Sequence, residues 1–201
     1  MKILTEMVQC SDEWFKAHKG RVSASHATAI ANVGKGLDTY ILETMANYYS
    51  SGEKEHFSNQ HTDRGNELEP LARDMFELET DYKVQQVGLV EYNDYVCCSP
   101  DGLIDEDGGL EIKCVDDKKY FEILMDGEKA IDSGYRWQCL MNLLITERKW
   151  WKLCYYNPNF ERSLIIFTIL PDQEKFKALL TGFSVAEQKI KELKDKYNSI
   201  S

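Results

Sequence analysis

The chain has 201 residues and a mass of 23.3 kDa, enough for one domain with a substantial core, and we expect residues 1–201 to form a single domain. Its 43% hydrophobic and 29% charged residues are an ordinary globular balance, and no apolar run approaches the roughly 20 residues that span a bilayer. The net charge of −10 and the pI of about 4.9 argue against a protein that coats nucleic acid with a basic face. They leave open an enzyme that binds cations through clustered carboxylates.

The amino-terminal stretch MKILTEMVQCSDEW lacks the apolar core of a secretory signal, because Thr5, Glu6 and Gln9 interrupt it. We therefore expect a cytoplasmic protein with no membrane segment. The six cysteines form no CxxC pair and the chain has only four histidines, which makes a structural zinc site an unfavoured interpretation. Most of the cysteines lie in apolar runs and are expected to be small buried side chains.

Hydrophobic spacing predicts helices in the first part of the chain over residues 11–19, 23–31, 38–50 and 64–79. The polar stretch SSGEKEHFSNQHTD, residues 50–63, is expected to connect the last two of them. Further along, the pattern predicts strands over 84–92, 94–104 and 109–115, helices over 117–126 and 132–147, strands over 149–156 and 162–170, and a final helix over 172–198. This order predicts an α/β fold in which helices flank a mixed central sheet of about five strands.

The stretch SPDGLIDEDGGLEIKC, residues 99–114, carries the chemistry. If GLEIKC is a strand, alternation places Glu111 and Lys113 on one face and Ile112 on the other. Asp101 ends the preceding strand, and the turn DEDGG returns the chain, so Asp101 and Glu111 can converge at one end of the sheet. Two converging carboxylates suit Mg²⁺ or Mn²⁺, with the Ile112 carbonyl as a plausible further ligand.

Lys113 distinguishes a hydrolase from a cation-binding turn. An ammonium beside the carboxylates can orient an attacking water and offset charge on a phosphorane. Glu69, in the helical block RGNELEPLAR, could add a further acidic ligand. The alternative is a solvated acidic hairpin, while a calcium loop is disfavoured because DEDGG lacks EF-hand spacing. The combination of Asp, then Glu-x-Lys, with a helical acid upstream favours a metal-dependent nuclease.

These residues resemble the PD-(D/E)xK nuclease superfamily, and more closely its phage lambda-type exonucleases of the viral recombinase group. The resemblance rests on SPDG followed by LEIKC, and on three further blocks in the family's order: WFKAHKGRVSAS, RGNELEPLAR and AIDSGYRWQCLMNLLIT. Together the blocks cover roughly residues 11 to 170, and no single motif would suffice. The resemblance implies a restriction-endonuclease-like fold.

The resemblance also implies an alkaline 5′-to-3′ exonuclease that digests one strand of duplex DNA and leaves 3′ overhangs for single-strand-annealing recombination. Asp101, Glu111 and the Ile112 carbonyl would hold the metal, with Glu69 as a further acidic ligand and Lys113 as the catalytic lysine. The metal would be Mg²⁺, or Mn²⁺, as two ions that activate water and stabilise the leaving oxygen.

A pocket for the terminal 5′ phosphate maps onto Ser25, Ser99 and Gln138, each of which can donate a hydrogen bond to a phosphate oxygen. The family's pocket arginine falls on His18, with Lys19 adjacent and Arg21 three residues later. Lys19 or Arg21 could bind the phosphate in its place, or His18 could bind it when protonated, although His18 would be neutral at alkaline pH. The alternatives are a helix cap for Ser25, a satisfied buried amide for Gln138 and a surface histidine for His18.

Members of this family form a homotrimeric ring around double-stranded DNA ends and work with a single-strand annealing protein, so the resemblance implies both partners here. One competing interpretation is a dimeric endonuclease of restriction or repair type, which would share Asp101, Glu111 and Lys113 but need no phosphate pocket. Another is a non-enzymatic module that keeps the fold. Such a module would be expected to lack Glu69, Asp101 or Lys113, and all three are present in this chain.

Overall fold

A computed structural model describes residues 1–51 and 60–200 of the chain. The first elements are β1 (Lys2–Leu4), α1 (Asp12–His18), β2 (Val22–Ser23), a 3₁₀ turn (Ala24–His26), α2 (Ala27–Asn32), α3 (Lys35–Tyr49) and α4 (Gln60–Thr80). Ser11 caps α1, because its side chain accepts a hydrogen bond from the Trp14 N–H. Most of the predicted polar connection over 50–63 lies outside the described residues, and α4 begins four residues earlier than predicted.

The second part of the chain contains β3 (Val84–Gln85), β4 (Leu89–Glu91), β5 (Val96–Cys98), β6 (Gly102–Ile104), β7 (Gly108–Cys114), α5 (Asp117–Asp126), a 3₁₀ turn (Gly127–Ala130), α6 (Ser133–Thr146), β8 (Trp150–Tyr156), β9 (Leu164–Ile169) and α7 (Gln173–Ile200). Within the described residues, no helix is long and apolar enough to cross a membrane.

The predicted mixed sheet is confirmed as five strands in the order β3-β6-β7-β8-β9. Its central pair, β7 and β8, is parallel, and the other neighbours are antiparallel. A second sheet, in the order β1-β4-β5-β2, was not predicted. Its strands are two or three residues long, too short for an alternation pattern to identify.

Two of the predicted strands are each divided into two shorter strands in the structure, so their prediction as continuous strands was wrong. The segment 84–92 divides into β3 and β4, and the segment 94–104 divides into β5 and β6, with one piece of each in either sheet. Pro100 lies at the second break, where it offers no N–H to a ladder. Gly88 lies at the first, so close to Met7 that a Cβ atom would lie 2.2 Å from the Met7 carbonyl oxygen. Between β3 and β6 the chain therefore crosses from one sheet to the other twice, and the second of these two crossings is the SPDG segment.

The five-stranded sheet is covered on both faces by helices. On one face, Leu110 and Ile112 of β7 pack with Ala72 and Phe76 of α4 in an apolar cluster. On the other face, a larger cluster joins the sheet to α6 and α7. Glu111 faces α6, from which Asn142 contacts it. The predicted alternation of β7, with Ile112 opposite Glu111 and Lys113, is confirmed.

The β6–β7 connection is a tight turn over 105–107, and both glycines of DEDGG lie in β7. Arg148 holds this turn, because its Nη1 donates to the carbonyl oxygens of Ile104, Asp105 and Gly108. The acidic turn is thus a structural hairpin that orients β7, and its carboxylates do not contribute to the site.

Candidate active site

Asp101 reaches the site from the crossing between the sheets. It directly precedes β6, and its Oδ2 accepts a hydrogen bond of 2.6 Å from the backbone N–H of Ile112. That bond ties the SPDG segment to the middle of β7. Gln9 holds the same segment from the other side, because its Nε2 donates to the carbonyl oxygens of Val87 and Pro100 at 2.8 and 2.9 Å. The predicted approach of the SPDG and LEIKC motifs therefore occurs in the structure.

Glu111 is the most enclosed of the predicted residues, with 1% of its surface exposed. Its Oε1 accepts from Lys113 Nζ at 2.7 Å and from Gln138 Nε2 at 2.6 Å. Its Oε2 accepts from Asn142 Nδ2 at 3.1 Å. A buried carboxylate needs such partners because burial without them is costly. The three donors fix the orientation of the carboxylate.

Lys113 is held between a carboxylate and an aromatic ring. Besides its bond to Glu111, its Nζ lies 4.7 Å from the centre of the Tyr135 ring, close enough for a cation–π contact. Burial lowers the pKa of Lys113, but the attraction of Glu111 and Asp101 outweighs it and the pKa lies above its usual value. The side chain is therefore a protonated ammonium.

Glu69 lies on α4 and forms an ion pair with Arg73, one helical turn later. Its pKa is raised to about 7, mainly by burial and then by the Asp101 carboxylate, while Arg73 and Lys113 oppose the shift. Asp101, Glu111 and Lys113 are linked through β7 by hydrogen bonds. Glu69 interacts electrostatically with Asp101 and Lys113.

The site carries a surplus of negative charge when all three of its carboxyl groups are ionised. Burial is the main reason that the pKa of Glu111 is raised to about 8, and Asp101 adds to the shift while Lys113 opposes it. Burial also raises the pKa of Asp101, against the opposing effects of Lys113, the Ile112 N–H and Arg73. Three carboxylates thus face two cationic side chains, and each carboxyl group resists ionisation.

This donor set fits a hard divalent cation, which would offset the repulsion among the carboxylates. Among the described residues, no three His, Cys, Asp or Glu side chains converge closely enough to enclose a metal by themselves. Such closure is unnecessary for Mg²⁺, which is usually held by one or two carboxylates and keeps several waters. Asp101, Glu111, Glu69 and the Ile112 carbonyl therefore remain candidate ligands.

Two of the predicted phosphate residues meet beside the acidic cluster. His18 lies at the end of α1, and its Nε2 is 3.3 Å from the Oγ of Ser99, two residues before Asp101. The imidazole also packs on the Trp14 ring, with centroids 3.8 Å apart. His18 is half-buried, so it is more enclosed than a plain surface histidine.

The other predicted phosphate residues are more dispersed. The Arg21 guanidinium pairs with Glu91 at 3.0 Å and donates to the Ala17 carbonyl oxygen. Ser25 is exposed in the first 3₁₀ turn and does not act as a helix cap. Gln138 is half-buried and donates to Glu111, which makes it part of the acidic site.

Comparisons with known proteins identify the family of the chain. Residues 13–149 match the family model of the YqaJ-like viral recombinase domain, which is more than half of the chain. The chain belongs to the YqaJ-like viral recombinase family. A comparison with curated proteins found no match.

Solved structures extend the likeness of this YqaJ-like protein to nearly its whole length. An alkaline exonuclease from Laribacter hongkongensis, LHK-Exo, superposes with a TM-score of 0.81 at 26% identity, over 95% of this chain and 100% of that one. The same enzyme in complex with dAMP matches equally. A phage-related exonuclease from Haemophilus somnus 129PT shares the fold at 15% identity, with a TM-score of 0.68 over 91% and 99% of the two chains. The family and these likenesses support a nuclease with the fold of the alkaline exonucleases.

Sequence reasoning missed several residues of this YqaJ-like site. Arg73 and Asn142 were both overlooked, although each lies four residues after a predicted site residue, Glu69 and Gln138. Since residues four apart share a helix face, that spacing was an available signal. Gln9 had no such signal, because its contact with the SPDG segment spans more than ninety residues.

Proposed function

We propose that the protein is a metal-dependent 5′-to-3′ exonuclease that degrades one strand of linear double-stranded DNA and leaves 3′ overhangs. Residues 1–201 would act as a single nuclease domain. The observation that carries the proposal is the cluster of Asp101, Glu111 and Lys113 at the junction of the two sheets, within a YqaJ-like fold. The dAMP complex of LHK-Exo, which contains a deoxynucleotide, supports DNA as the substrate.

Lys113 would act on the attacked phosphate. Its ammonium is protonated and anchored at 2.7 Å to Glu111 and over the Tyr135 ring, so its position is set before the substrate binds. From there it can donate a hydrogen bond to the attacking water and offset the negative charge that develops on the phosphorane. Gln138 and Asn142 hold the Glu111 carboxylate, which keeps the lysine in place.

Mg²⁺, or Mn²⁺, would be held as two ions by Asp101, Glu111, Glu69 and the Ile112 carbonyl. When bound, such ions polarise a phosphoryl oxygen and lower the pKa of water. Arg73 is paired with Glu69 and would steady that carboxylate while it serves as a ligand. The Ile112 N–H does the same for Asp101.

Selection of a 5′-phosphorylated end would fall to His18, Ser99, Ser25, Gln138 and Arg21. Support is strongest for His18, whose Nε2 lies 3.3 Å from the Oγ of Ser99, two residues before Asp101. The Ser99 hydroxyl donates to the Gly88 carbonyl oxygen at 2.8 Å, a bond that it would exchange for one to the phosphate. It is weakest for Arg21, whose guanidinium is engaged by Glu91. A hydroxyl and an imidazolium are both suitable donors to phosphate oxygens.

We further propose that the protein acts in the cytoplasm as a homotrimeric ring around DNA ends, with a single-strand annealing protein as a partner. Exposed apolar side chains on α4 and α5 are a surface that subunit contacts could cover: Leu71, Leu78, Phe121 and Met125. Light scattering should then give three times the 23.3 kDa mass of one chain.

The decisive experiment is digestion of linear duplex DNA carrying a 5′ phosphate or a 5′ hydroxyl, in Mg²⁺ or in EDTA. Label on the 5′ end should be released first, only with Mg²⁺, and faster from phosphorylated ends. Lys113→Ala should abolish the release.

A covalently closed circle serves as the control substrate. Cutting of the circle would support a dimeric endonuclease instead. Release of the 3′ label first would reverse the direction, and equal rates in EDTA would exclude the metal.

A further inference from the structure

The imidazole of His26 lies flat on the phenol ring of Tyr40. The ring centroids are 3.8 Å apart and the planes differ by 9°. His26 ends the first 3₁₀ turn and is exposed, whereas Tyr40 belongs to α3 and is half-buried. Because Tyr40 covers one face of the imidazole, the exposure of His26 comes from its other face and its edge.

Local hydrogen bonds fix both rings of this stack. The Tyr40 hydroxyl accepts from the Ser23 N–H at 3.0 Å and lies 3.2 Å from the Ser23 Oγ. The Oγ of Ser25 lies 3.1 Å from Nδ1 of His26. His26 stands at the N-cap position of α2, yet its side chain makes no capping bond. Helix capping therefore does not explain the orientation of the imidazole.

The stack forms part of the wall of a pocket of about 360 Å³. His18 and Arg21, two of the candidate phosphate residues, line the same pocket. Its charged lining also includes the cationic Lys19 and the acidic Glu43. Ser25, a third candidate, contacts His26 directly. A base is joined to its phosphate through one sugar, so a base bound beside these residues would lie near the stack.

The charge state of His26 suits an aromatic contact. Burial lowers the pKa of His26, and Glu43 only partly opposes the shift. At neutral and alkaline pH the ring is therefore uncharged. Aromatic side chains that stack on bases tolerate any sequence, because every base has a π face.

We infer that the His26–Tyr40 stack is a platform for the nucleobase of the 5′-terminal nucleotide, which it binds by stacking without preference among the four bases. This inference rests on the proposed function, because it places the terminal nucleotide of the digested strand in the pocket. It adds a base contact to a phosphate contact, so the end of the strand would be held at two points.

The test compares 5′-phosphorylated duplexes whose terminal nucleotide is intact or abasic, digested in Mg²⁺ by wild type, His26→Ala and His26→Phe. With wild type, removal of the base should raise KM about tenfold, within the range of single-base stacking, and leave kcat nearly unchanged. His26→Ala should show the same increase on the intact end and no further increase on the abasic end. His26→Phe should restore the wild-type values.

Tyr197→Ala is the matched control, because Tyr197 stacks on Tyr49 in a similar geometry, with centroids 3.7 Å apart, outside this pocket. It should leave the response to the abasic end intact. Equal KM for intact and abasic ends in wild type would overturn the inference. So would an abasic effect that persists in His26→Ala, or one that occurs only at the second nucleotide.

A measurement in EDTA separates this inference from the proposed function, since it needs no turnover. Duplex DNA with 2-aminopurine at its 5′ terminus should lose fluorescence on binding to wild type and to His26→Phe, but not on binding to His26→Ala. Quenching without any nuclease activity in Mg²⁺ would retain the platform and reject the exonuclease. Activity without quenching would reject the platform alone.

Discussion

The Nε2 atom of His18 lies 3.3 Å from the hydroxyl oxygen of Ser99, while its Nδ1 atom lies 2.9 Å from the main-chain oxygen of Trp14. Because a carbonyl oxygen only accepts hydrogen bonds, Nδ1 carries a proton in this arrangement. In a neutral ring, Nε2 is then an acceptor and cannot donate to phosphate. The residue that would anchor the 5′ phosphate is thus a donor only when it is protonated.

His18→Arg should therefore strengthen selection of phosphorylated ends under alkaline conditions. A permanent guanidinium donates to phosphate at every pH, and such a charged hydrogen bond corresponds to about a tenfold gain. We expect the ratio of kcat/KM for 5′-phosphate over 5′-hydroxyl duplexes to rise by that factor. His18→Ala should lower the ratio under acidic conditions, where the imidazole is protonated, and should leave it unchanged under alkaline conditions.

Lys16→Arg is the control for this substitution, because Lys16 is exposed on the same helix and does not line the pocket. It should leave the ratio unchanged. An unaltered ratio in both His18 variants would exclude His18 from the phosphate site.

The convergence of Asp101, Glu111 and Lys113 was predictable from the sequence because it depends on local rules. Strand alternation sets the faces of Glu111 and Lys113, and a short hairpin returns the chain to Asp101. The separation of the segments 84–92 and 94–104 into two sheets was not predictable. It depends on long-range partners such as Met7 against Gly88, which apolar spacing does not encode. Asn142 and Arg73 were predictable only in part. The sequence shows their helical spacing from Gln138 and Glu69, but it does not show which side chains they contact.

Lys113→Ala should abolish catalysis while leaving DNA binding in place. The ammonium is expected to stabilise charge that appears only in the transition state, so kcat should fall by at least about 10²-fold with little change in KM. Single-turnover digestion of end-labelled duplex measures the step directly. Lys152→Ala is a matched control on the neighbouring strand, because that lysine also lies over an aromatic ring, Trp150, but contacts no site residue.

A fall in kcat of similar size in the Lys152 variant would mean that loss of a lysine near the sheet disturbs the fold in general. Activity of Lys113→Ala close to that of wild type would show that the lysine takes no part in catalysis.

Asn142→Ala tests the inner support of the site. The side chain is fully buried, and its Nδ2 is the donor to Glu111 Oε2. Above about pH 8, where Glu111 is ionised, loss of this hydrogen bond to a charged group should lower the free energy of unfolding by about 1.5–3 kcal/mol. Because Glu111 would then be less well oriented, kcat should fall about tenfold or more with little change in KM. Urea denaturation and nucleotide-release kinetics measure the two effects.

Thr146→Val is the comparison for Asn142→Ala. Thr146 is buried one turn later on α6, and its hydroxyl bonds only to the helix backbone, at the Asn142 carbonyl oxygen. It should change kcat by less than about twofold. Equal losses of kcat in both variants would assign the effect to helix packing and not to Glu111.

Val33→Gly should stabilise the protein. Val33 ends α2 with φ of 45° and ψ of 46°, a left-handed conformation that a β-branched side chain adopts only with strain. Its side chain is 38% exposed, so its removal gives up some apolar burial, which offsets part of the gain. We expect the free energy of unfolding to rise by about 1 kcal/mol, because glycine adopts this conformation without a steric penalty.

Val8→Gly, at an exposed loop position without positive φ, should instead leave stability unchanged or lower it, since glycine adds entropy to the unfolded chain. Urea denaturation compares the two variants, and a Val33→Gly protein less stable than wild type would show that the turn carries no strain.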